Sequence, residues 1–227
     1  MIVLANTKGG VGKSTLAVHI AVWLHDQGGK TALLDADKQR SSSQWIAEAE
    51  PKITVCTAHT PEDCLSEGRR LLQSHDFLVA DGPAGLDDVS RTLLILADLA
   101  LLPISPSILD LRSVSQATAI LRYAQGINRG RPDGRLILNK MRKRDTISRE
   151  VLTAAPNLGV AVAQGVIRDL QAFRDAAQQG SVVSRMGKRY ANAADEIDAL
   201  CRELQLASAS ATLTSPSVLK GSEIANV

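Results

Sequence analysis

Short apolar runs alternate along the chain with longer segments in which apolar residues recur every three or four positions. Seven of these runs predict buried strands: Ile2–Ala5, Thr31–Asp35, Ile53–Thr57, Phe77–Asp81, Leu99–Ile104, Leu136–Asn139 and Val160–Ala163. Several of the longer segments predict amphipathic helices, as in Leu16/Ile20/Leu24, Ala117/Leu121 and Ile197/Leu200/Leu204. This alternation predicts an α/β fold, with a mostly parallel, doubly wound sheet of about seven strands and helices on both faces.

The pattern continues to about residue 206 and then stops. Residues 207–227 are small and polar and show no periodicity, which is typical of a flexible segment. A length of 227 residues suits one domain with a substantial core. We therefore predict one domain over residues 1–206 and a flexible C-terminal tail over 207–227, with a docking segment for a partner as the alternative for the tail.

Composition narrows the class of protein. Only 3% of the residues are aromatic, so aliphatic side chains must fill the core. The three cysteines are odd in number and form no CxxC pair, so neither a disulfide framework nor a zinc site is indicated, and a reducing cytoplasm fits. Met1–Ala5 leads directly into a glycine loop and predicts a strand, not a signal peptide. No apolar run is long enough to span a bilayer.

The net charge of +2 is unevenly distributed. Residues 129–144 contain seven basic side chains and one acidic one. This segment therefore carries a net charge of +6, and the rest of the chain carries −4. Such an asymmetry indicates either an anionic partner or a solvated basic edge, and charge alone leaves both interpretations open.

The segment Thr7–Thr15 reads Thr-Lys-Gly-Gly-Val-Gly-Lys-Ser-Thr and lies between a predicted strand and a predicted helix. Glycines let backbone N–H groups converge on phosphate oxygens, and the start of a helix favours negative charge. We predict that Lys13 reaches the β- and γ-phosphates, that Ser14 binds Mg²⁺ and that Thr15 contacts the phosphates. ATP and Mg²⁺ are therefore the predicted cofactors, and the loop residues that bind nucleotide are Gly9, Gly10, Val11, Gly12, Lys13, Ser14 and Thr15. A glycine-rich turn with incidental lysines is the alternative.

Carboxylates follow two other strands. Asp35 and Asp37 end the second, and Asp81 ends the fourth. The carboxyl ends of the strands face the ligand in sheets of this kind. Because phosphoryl transfer to water requires a cation and an oriented nucleophile, we predict that Asp81 holds Mg²⁺ through water.

Lys8 is a second lysine in the loop, where the usual pattern would have glycine at position 7 and no lysine at position 8. Lys8–Ser14 resembles the deviant Walker A motif of the ParA/MinD ATPases, and the chain is most similar to the small ParA-type partition proteins. In that family the first lysine crosses the interface of an ATP-sandwiched dimer. The resemblance implies a homodimer in the ATP state, with Lys8 and Lys13 among the catalytic residues.

The segment Asp35–Gln39 resembles the D-x-D-P-Q motif of the same family, with Lys38 in place of proline. The resemblance implies that Asp37 orients the attacking water and that Asp35 is its metal-side or structural companion. We assign Asp35 to the metal site with Ser14 and Asp81. An N-cap for the next helix is the alternative for Asp37.

Later segments extend the resemblance over roughly residues 1–206. Gly82–Gly85 resembles the family's D-x-P-A-G turn, and Pro103–Asp110 resembles its dimer-face stretch. Leu136–Lys140 resembles the strand that ends in an adenine-contacting asparagine, which implies that Asn139 contacts the base. Ile167–Gly180 resembles the late region before the closing helix.

The resemblance implies an ATPase that is weak without a partner, binds DNA non-specifically as an ATP dimer, and segregates plasmid or chromosome DNA. A ParB-like protein or another cargo adaptor would stimulate hydrolysis. The tail has no bulky apolar face after Leu219, which argues against membrane targeting. The expected location is the cytoplasm, on the nucleoid. Candidate DNA contacts, for each of which an ordinary surface role is the alternative, are Arg142, Lys143, Arg144, Arg168, Arg174, Arg185, Lys188 and Arg189.

Two other functions stay open. One is a ParA-like positioner of protein cargo, such as carboxysomes or chemoreceptor clusters. The other is a metabolic P-loop synthetase or kinase, whose turnover would depend on an added metabolite and not on DNA. The iron protein of nitrogenase shares the deviant loop, but Cys56, Cys64 and Cys201 lack its spacing.

Overall fold

The computed structural model describes residues 1–85, 87–106, 111–142 and 159–206, without the side chains of 111–114. Seven parallel strands form one sheet in the order β3-β2-β4-β1-β5-β6-β7. The strands are β1 (Ile2–Asn6), β2 (Thr31–Asp35), β3 (Thr54–Thr57), β4 (Phe77–Ala84), β5 (Leu99–Ile104), β6 (Asp133–Met141) and β7 (Ala161–Arg168). The helices are α1 (Lys13–Asp26), α2 (Ser41–Ala49), α3 (Pro61–Ser74), α4 (Asp88–Leu96), α5 (Leu111–Ile127), α6 (Gln171–Gln178) and α7 (Ala191–Glu203).

All seven predicted strands are confirmed, and the doubly wound α/β fold with them. Strands β6 and β7 are longer than predicted, because each continues through polar residues that the apolar runs did not include. Two short 3₁₀ turns, Val183–Arg185 and Lys188–Tyr190, connect α6 to α7. The predicted tail at 207–227 lies outside the described residues.

Alternating strand residues supply two separate cores. On one face, Val3, Leu34 and Leu78 pack with α3, α4 and α5. On the other face, Leu4 and Leu33 pack with α1, α2, α6 and α7. Both faces of a parallel sheet are therefore covered, as this strand arrangement requires. None of the helices in the described part is long and apolar enough to cross a bilayer.

The strand order brings the predicted site residues to one edge of the sheet. Strand β1 ends in the glycine loop and pairs with β4, which in turn pairs with β2. Asp35 and Asp81 are register partners across β2 and β4. The loop and both carboxylates consequently lie at the carboxyl ends of three adjacent strands, where open α/β sheets bind their ligands.

Strand β6 divides the basic segment at 129–144 between opposite edges of the sheet. Arg129 and Arg131 precede the strand, and Lys140 and Arg142 lie at its carboxyl end. Nine residues of extended chain span about 30 Å. Arg131 is also paired with Asp98. The excess charge in the described part is therefore not one basic patch.

A buried imidazole connects helix α1 to its neighbours. His19 is 3% exposed, and its ring makes edge contacts with Trp45 and Phe173. Its Nε2 accepts a hydrogen bond from the Val183 backbone N–H at 3.2 Å, so its Nδ1 must carry the proton that is donated to the Thr15 carbonyl at 2.8 Å. Burial lowers the pKa of His19 to about 4. The neutral ring is thus part of the packing between α1, α2 and α6.

We expect the free energy of unfolding to decrease as the pH is lowered, because of His19. The folded-state pKa lies below the ordinary value of about 6.5, so the contribution is complete above pH 6.5 and is lost as pH falls towards 4. The loss should reach about 2 kcal/mol between pH 7.5 and pH 5. Urea unfolding at several pH values should show this slope in the wild type and a flatter one in His19→Gln. Equal slopes in the two proteins would contradict a neutral, buried imidazole.

Candidate functional site

The carboxyl ends of the strands border an open cleft of about 920 Å³. The glycine loop and the start of α1 form its floor. Its walls come from the segments after β2 and β3, helix α2, the turn after β4 and the end of β6. Side chains that reach it from these walls include Asp37, Lys38, Gln44, Trp45, His59, Asp87 and Lys140.

The loop has the backbone geometry of an anion cradle. Gly10 and Gly12 have φ values of 77° and 95°, in the left-handed region that favours glycine. Helix α1 begins at Lys13, and Gly12 precedes it without any side-chain cap. The first N–H groups of the helix therefore remain available to an anion at its N-terminus.

Lys13 extends across this cradle. The residue is 6% exposed, and its Nζ donates a hydrogen bond to the Lys8 carbonyl at 3.2 Å. Burial lowers its pKa, while Asp81 and Asp37 oppose that effect. A buried ammonium close to two carboxylates can move to a bound phosphate without first losing a shell of water.

Asp81 has the environment of a metal-binding carboxylate. It is fully buried, and no group in the described part of the chain hydrogen-bonds either of its oxygens. Burial raises its pKa to about 6, although the nearby hydroxyls of Ser14 and Ser42 act to lower it. A buried carboxylate without donors is costly unless a cation compensates it. Ser14 and Asp81 thus fit a Mg²⁺ ion, as the sequence predicted.

The cation would depend on bound phosphate for further ligands. Within the described ranges, no three His, Cys, Asp or Glu side chains lie together as a metal-binding group. Mg²⁺ in nucleotide sites is commonly held by one or two protein groups together with phosphates and water. The donor set here is of that kind.

The contacts of Asp35 favour the structural role over its assignment to the metal site. Its Oδ1 accepts a hydrogen bond from the Asp37 N–H at 3.1 Å, and its Oδ2 accepts one from the Ser43 N–H at 2.8 Å. Both oxygens of this buried side chain therefore fix the segment between β2 and α2. Of the two roles considered, the structural one agrees with these contacts.

Asp37 is half-buried and lines the cleft. Its Oδ1 accepts a hydrogen bond from the Gln39 N–H at 2.9 Å, and its carbonyl accepts one from the Arg40 N–H at 3.0 Å. Helix α2 begins later, at Ser41, with Arg40 as its N-cap. The alternative role of Asp37 as an N-cap is therefore wrong. Its side chain closes a turn and leaves Oδ2 available in the cleft. Lys38, in the position of the expected proline, is exposed.

Asn139 is buried and supports the backbone of the glycine loop. It is 3% exposed, and its Nδ2 donates a hydrogen bond to the Val11 carbonyl at 2.7 Å. A Cβ on Gly12 would lie 2.2 Å from the same nitrogen, so only glycine fits at that position. The adenine contact stays a prediction, and the contact that the structure gives this side chain is with the loop backbone.

Lys8 is half-buried beside the cleft, and Asn6 fixes its backbone. Asn6 donates through Nδ2 to the Pro103 carbonyl at 2.6 Å and accepts at Oδ1 from the Lys8 N–H at 3.0 Å. The Lys8 ammonium has no hydrogen-bonding or ionic partner among the residues that the structure describes. The role of Asn6 could not be predicted from the sequence, because it depends on β5, which lies beside β1 in the sheet.

Two further cleft residues were not predicted. The ring nitrogens of His59 are shielded from solvent and have no partner within the described segments. Lys140 donates from Nζ to the Gly10 carbonyl at 2.7 Å. For Lys140 the signal was its position next to Asn139, at the end of a strand. For His59 the sequence offered none.

The candidate DNA contacts differ in their surroundings. Arg168 is paired with Glu196, and Arg185 contacts Asp26, Glu50 and the Ala49 carbonyl. These two guanidinium groups already serve contacts inside the chain, which speaks against a primary role in DNA binding. Arg142 and Arg174 both lie near Asp169, at 3.8 and 2.8 Å. The exposed residues Lys188 and Arg189 follow Arg185, whereas Lys143 and Arg144 lie outside the described residues.

Comparison with known proteins agrees with this geometry. The chain is 33% identical over 207 residues to maintenance of carboxysome distribution protein A from Halothiobacillus neapolitanus, covering 88% of this chain and 94% of the relative. Solved structures with the same fold include two that hold a bound nucleotide. One is an aspartate-to-alanine variant of Cyanothece McdA in complex with ATP, with a TM-score of 0.70, 16% identity, and coverage of 90% of this chain and 95% of that one.

The other structure is cobyrinic acid a,c-diamide synthase from Mycobacterium smegmatis with bound ADP and magnesium. Its TM-score is 0.60 at 22% identity, and the match covers 78% of this chain and 92% of that one. The profile of the CobQ/CobB/MinD/ParA nucleotide binding domain matches residues 2–198. On the extent of this match, the chain belongs to the CobQ/CobB/MinD/ParA family of nucleotide-binding domains.

Proposed function

We propose that this protein is a Mg²⁺-dependent ATPase that dimerises on ATP, binds DNA non-specifically in that state, and positions a large cargo. The observation that carries the proposal is the cleft lined by the glycine loop, Lys13 and Asp37. The buried Asp81 lies close to Lys13 and has no hydrogen-bond partner among the described residues. The ATP and the ADP with magnesium in the two structural neighbours support the choice of ligand.

The chain's own groups have separate tasks in this proposal. The loop N–H groups and Lys13 hold the β- and γ-phosphates, and Ser14 and Asp81 hold the cation. Mg²⁺ neutralises charge that develops on the phosphates during transfer. Asp37 accepts a hydrogen bond from the attacking water through its available oxygen and thereby orients it. Asp35 keeps Asp37 in place through the backbone contact described above.

Dimerisation would involve Lys8. Its backbone is fixed by Asn6, while its ammonium has no partner within the described residues. A second copy that presents its own nucleotide across the cleft would offer phosphate oxygens to this ammonium. A dimer of this kind exists only with ATP bound, so hydrolysis, stimulated by an adaptor protein on the cargo, would release it.

The cargo is better sought among protein assemblies than among plasmids. The relative from Halothiobacillus neapolitanus is named for maintaining carboxysome distribution, and its alignment covers most of both chains. We therefore favour a protein cargo such as a carboxysome, which the sequence analysis placed second to DNA segregation. The metabolic alternative keeps some support from the structural match to an amide-forming synthase. In that case turnover would require a small-molecule substrate and would not respond to DNA.

DNA binding in the ATP state tests the proposal. Binding to a non-specific duplex should be tight with ATP, weak with ADP and weak without nucleotide, because only a dimer presents two sets of basic side chains. Affinity with ATP should fall steeply between 50 and 200 mM salt, by about tenfold or more, as phosphate contacts require. Fluorescence anisotropy with labelled DNA measures both effects.

Lys8→Ala is the informative variant in the same assay. It should bind ATP but fail to dimerise, and it should therefore fail to bind DNA. Absence of DNA binding in every state of the wild type would overturn the DNA part of the proposal. Dimers of Lys8→Ala with normal DNA affinity would overturn the role of this lysine.

A further inference from the structure

Two consecutive residues at the end of β6 contact two consecutive carbonyls of the glycine loop. Asn139 Nδ2 donates to the Val11 carbonyl, and Lys140 Nζ donates to the Gly10 carbonyl, both at 2.7 Å. The two residues lie about 130 positions from the loop in the sequence. Two carbonyls of the loop are thus held by side chains from a distant part of the chain.

This arrangement departs from ordinary strand geometry. Successive side chains of a strand point to opposite faces of the sheet, yet Asn139 and Lys140 both reach the same loop. The departure is visible in the backbone, since Lys140 has φ of 57° and the pairing of β6 with β7 shifts register between Leu138 and Met141. Irregularities of this kind re-aim a side chain, and left-handed non-glycine residues cluster at functional sites.

The contacts determine where the loop N–H groups point. In a trans peptide the C=O and the N–H point in opposite directions. The peptide bonds from Gly10 to Gly12 are trans. A Gly10 carbonyl held towards β6 turns the Val11 N–H away from it, and a held Val11 carbonyl does the same for the Gly12 N–H. Neither N–H donates a hydrogen bond to a described residue.

We propose that Lys140 is a positioning residue, which acts with Asn139 to orient the Val11 and Gly12 N–H groups towards bound phosphate before nucleotide arrives. The proposal rests on the nucleotide binding proposed above. Asn139 is buried, whereas Lys140 is exposed and contributes a charge-assisted hydrogen bond to the loop. A cradle whose donors are aligned in advance does not spend binding energy on ordering them.

Nucleotide affinity tests the proposal. Lys140→Met keeps the length of the side chain but not the ammonium, and it should weaken ATP and ADP binding by about tenfold each, the usual effect of a lost hydrogen bond to a charged group. Lys140→Arg should restore most of the affinity. Lys30→Met removes an exposed lysine at the opposite edge of the sheet and should bind both nucleotides as the wild type does. Isothermal titration calorimetry measures all four proteins.

A second measurement needs no nucleotide. In the nucleotide-free protein, the backbone amide resonances of Val11 and Gly12 should shift in Lys140→Met and stay unchanged in Lys30→Met. Wild-type affinity with unshifted resonances in Lys140→Met would overturn the proposal. So would a loss for ATP at least tenfold greater than for ADP, since that result would place the ammonium on the γ-phosphate itself. If the wild type binds neither nucleotide, the proposed function fails, and the amide resonances still decide the role of Lys140.

Discussion

Lys13→Met is expected to lose ATP affinity by at least about 100-fold, a larger loss than the one predicted for Lys140→Met. Lys13 is a buried residue at the floor of the cleft, and its ammonium is close to Asp81 and Asp37. Without it, the two carboxylates would lose the buried cation that lies close to them. Removing one partner of a buried charge pair typically costs about 2–5 kcal/mol or more, which corresponds to a loss of about 30-fold to several thousand-fold, and the expected loss lies within this range.

Titration with a fluorescent ATP analogue in the presence of Mg²⁺ measures the effect. Lys8→Ala serves as the matched control, because it also removes a loop lysine but one whose ammonium has no hydrogen bond or ion pair with a described residue. It should keep nucleotide affinity within a few-fold of the wild type. A circular dichroism melt of nucleotide-free Lys13→Met would show that the fold is intact. Wild-type affinity in Lys13→Met would overturn the assignment of the loop.

The parts of the site that the sequence predicted are those set by local rules. A glycine loop between a strand and a helix specifies its own geometry, and an aspartate at the end of a parallel strand lies at the ligand edge whatever the strand order. Ser14 and Asp81 could therefore be assigned without a structure. To predict that they lie close together, we needed only the general rule that the carboxyl ends of parallel strands share one edge of the sheet.

Contacts between distant segments could not be predicted in the same way. The roles of Asn139 and Lys140 depend on a register shift and a left-handed residue, and no hydrophobic pattern encodes either of them. Asp35 lay at the right edge, but only the path of the chain after β2 shows that backbone N–H groups use both of its oxygens. The family resemblance named positions and left their contacts unspecified.

Of the sequence features used, the distribution of charge was the poorest guide to the surface of the folded protein. Counting along the chain treated residues 129–144 as one basic segment, although a strand inside it carries its two ends to opposite edges of the sheet. Arg185 illustrates the same limitation, since its guanidinium lies between Asp26 and Glu50. Whether a basic residue faces solvent or an acid from another helix is a property of the fold.

Asp37→Asn should bind ATP within a few-fold of the wild type and hydrolyse it about 100-fold to 1,000-fold more slowly, within the usual range for lost general acid–base assistance. The amide is isosteric and still offers Oδ1 to the Gln39 N–H, so the turn before α2 should persist. Its other atom becomes an NH₂ group, which donates where the carboxylate accepted. The variant should consequently accumulate as an ATP-bound dimer on DNA.

Single-turnover phosphate release with saturating ATP separates this effect from a change in binding. Asp76→Asn is a suitable control, because Asp76 also accepts a backbone N–H, that of Lys30 at 2.9 Å, and lies at the amino edge of the sheet, away from the cleft. It should turn over as the wild type does. Normal turnover in Asp37→Asn would move the water-orienting role to another polar group of the cleft wall, with Asp87 and His59 the first to examine. A lost rate together with lost ATP binding would instead show that Asp37 acts on the nucleotide itself, because an isosteric change at a position that touches only water leaves the ground-state complex intact.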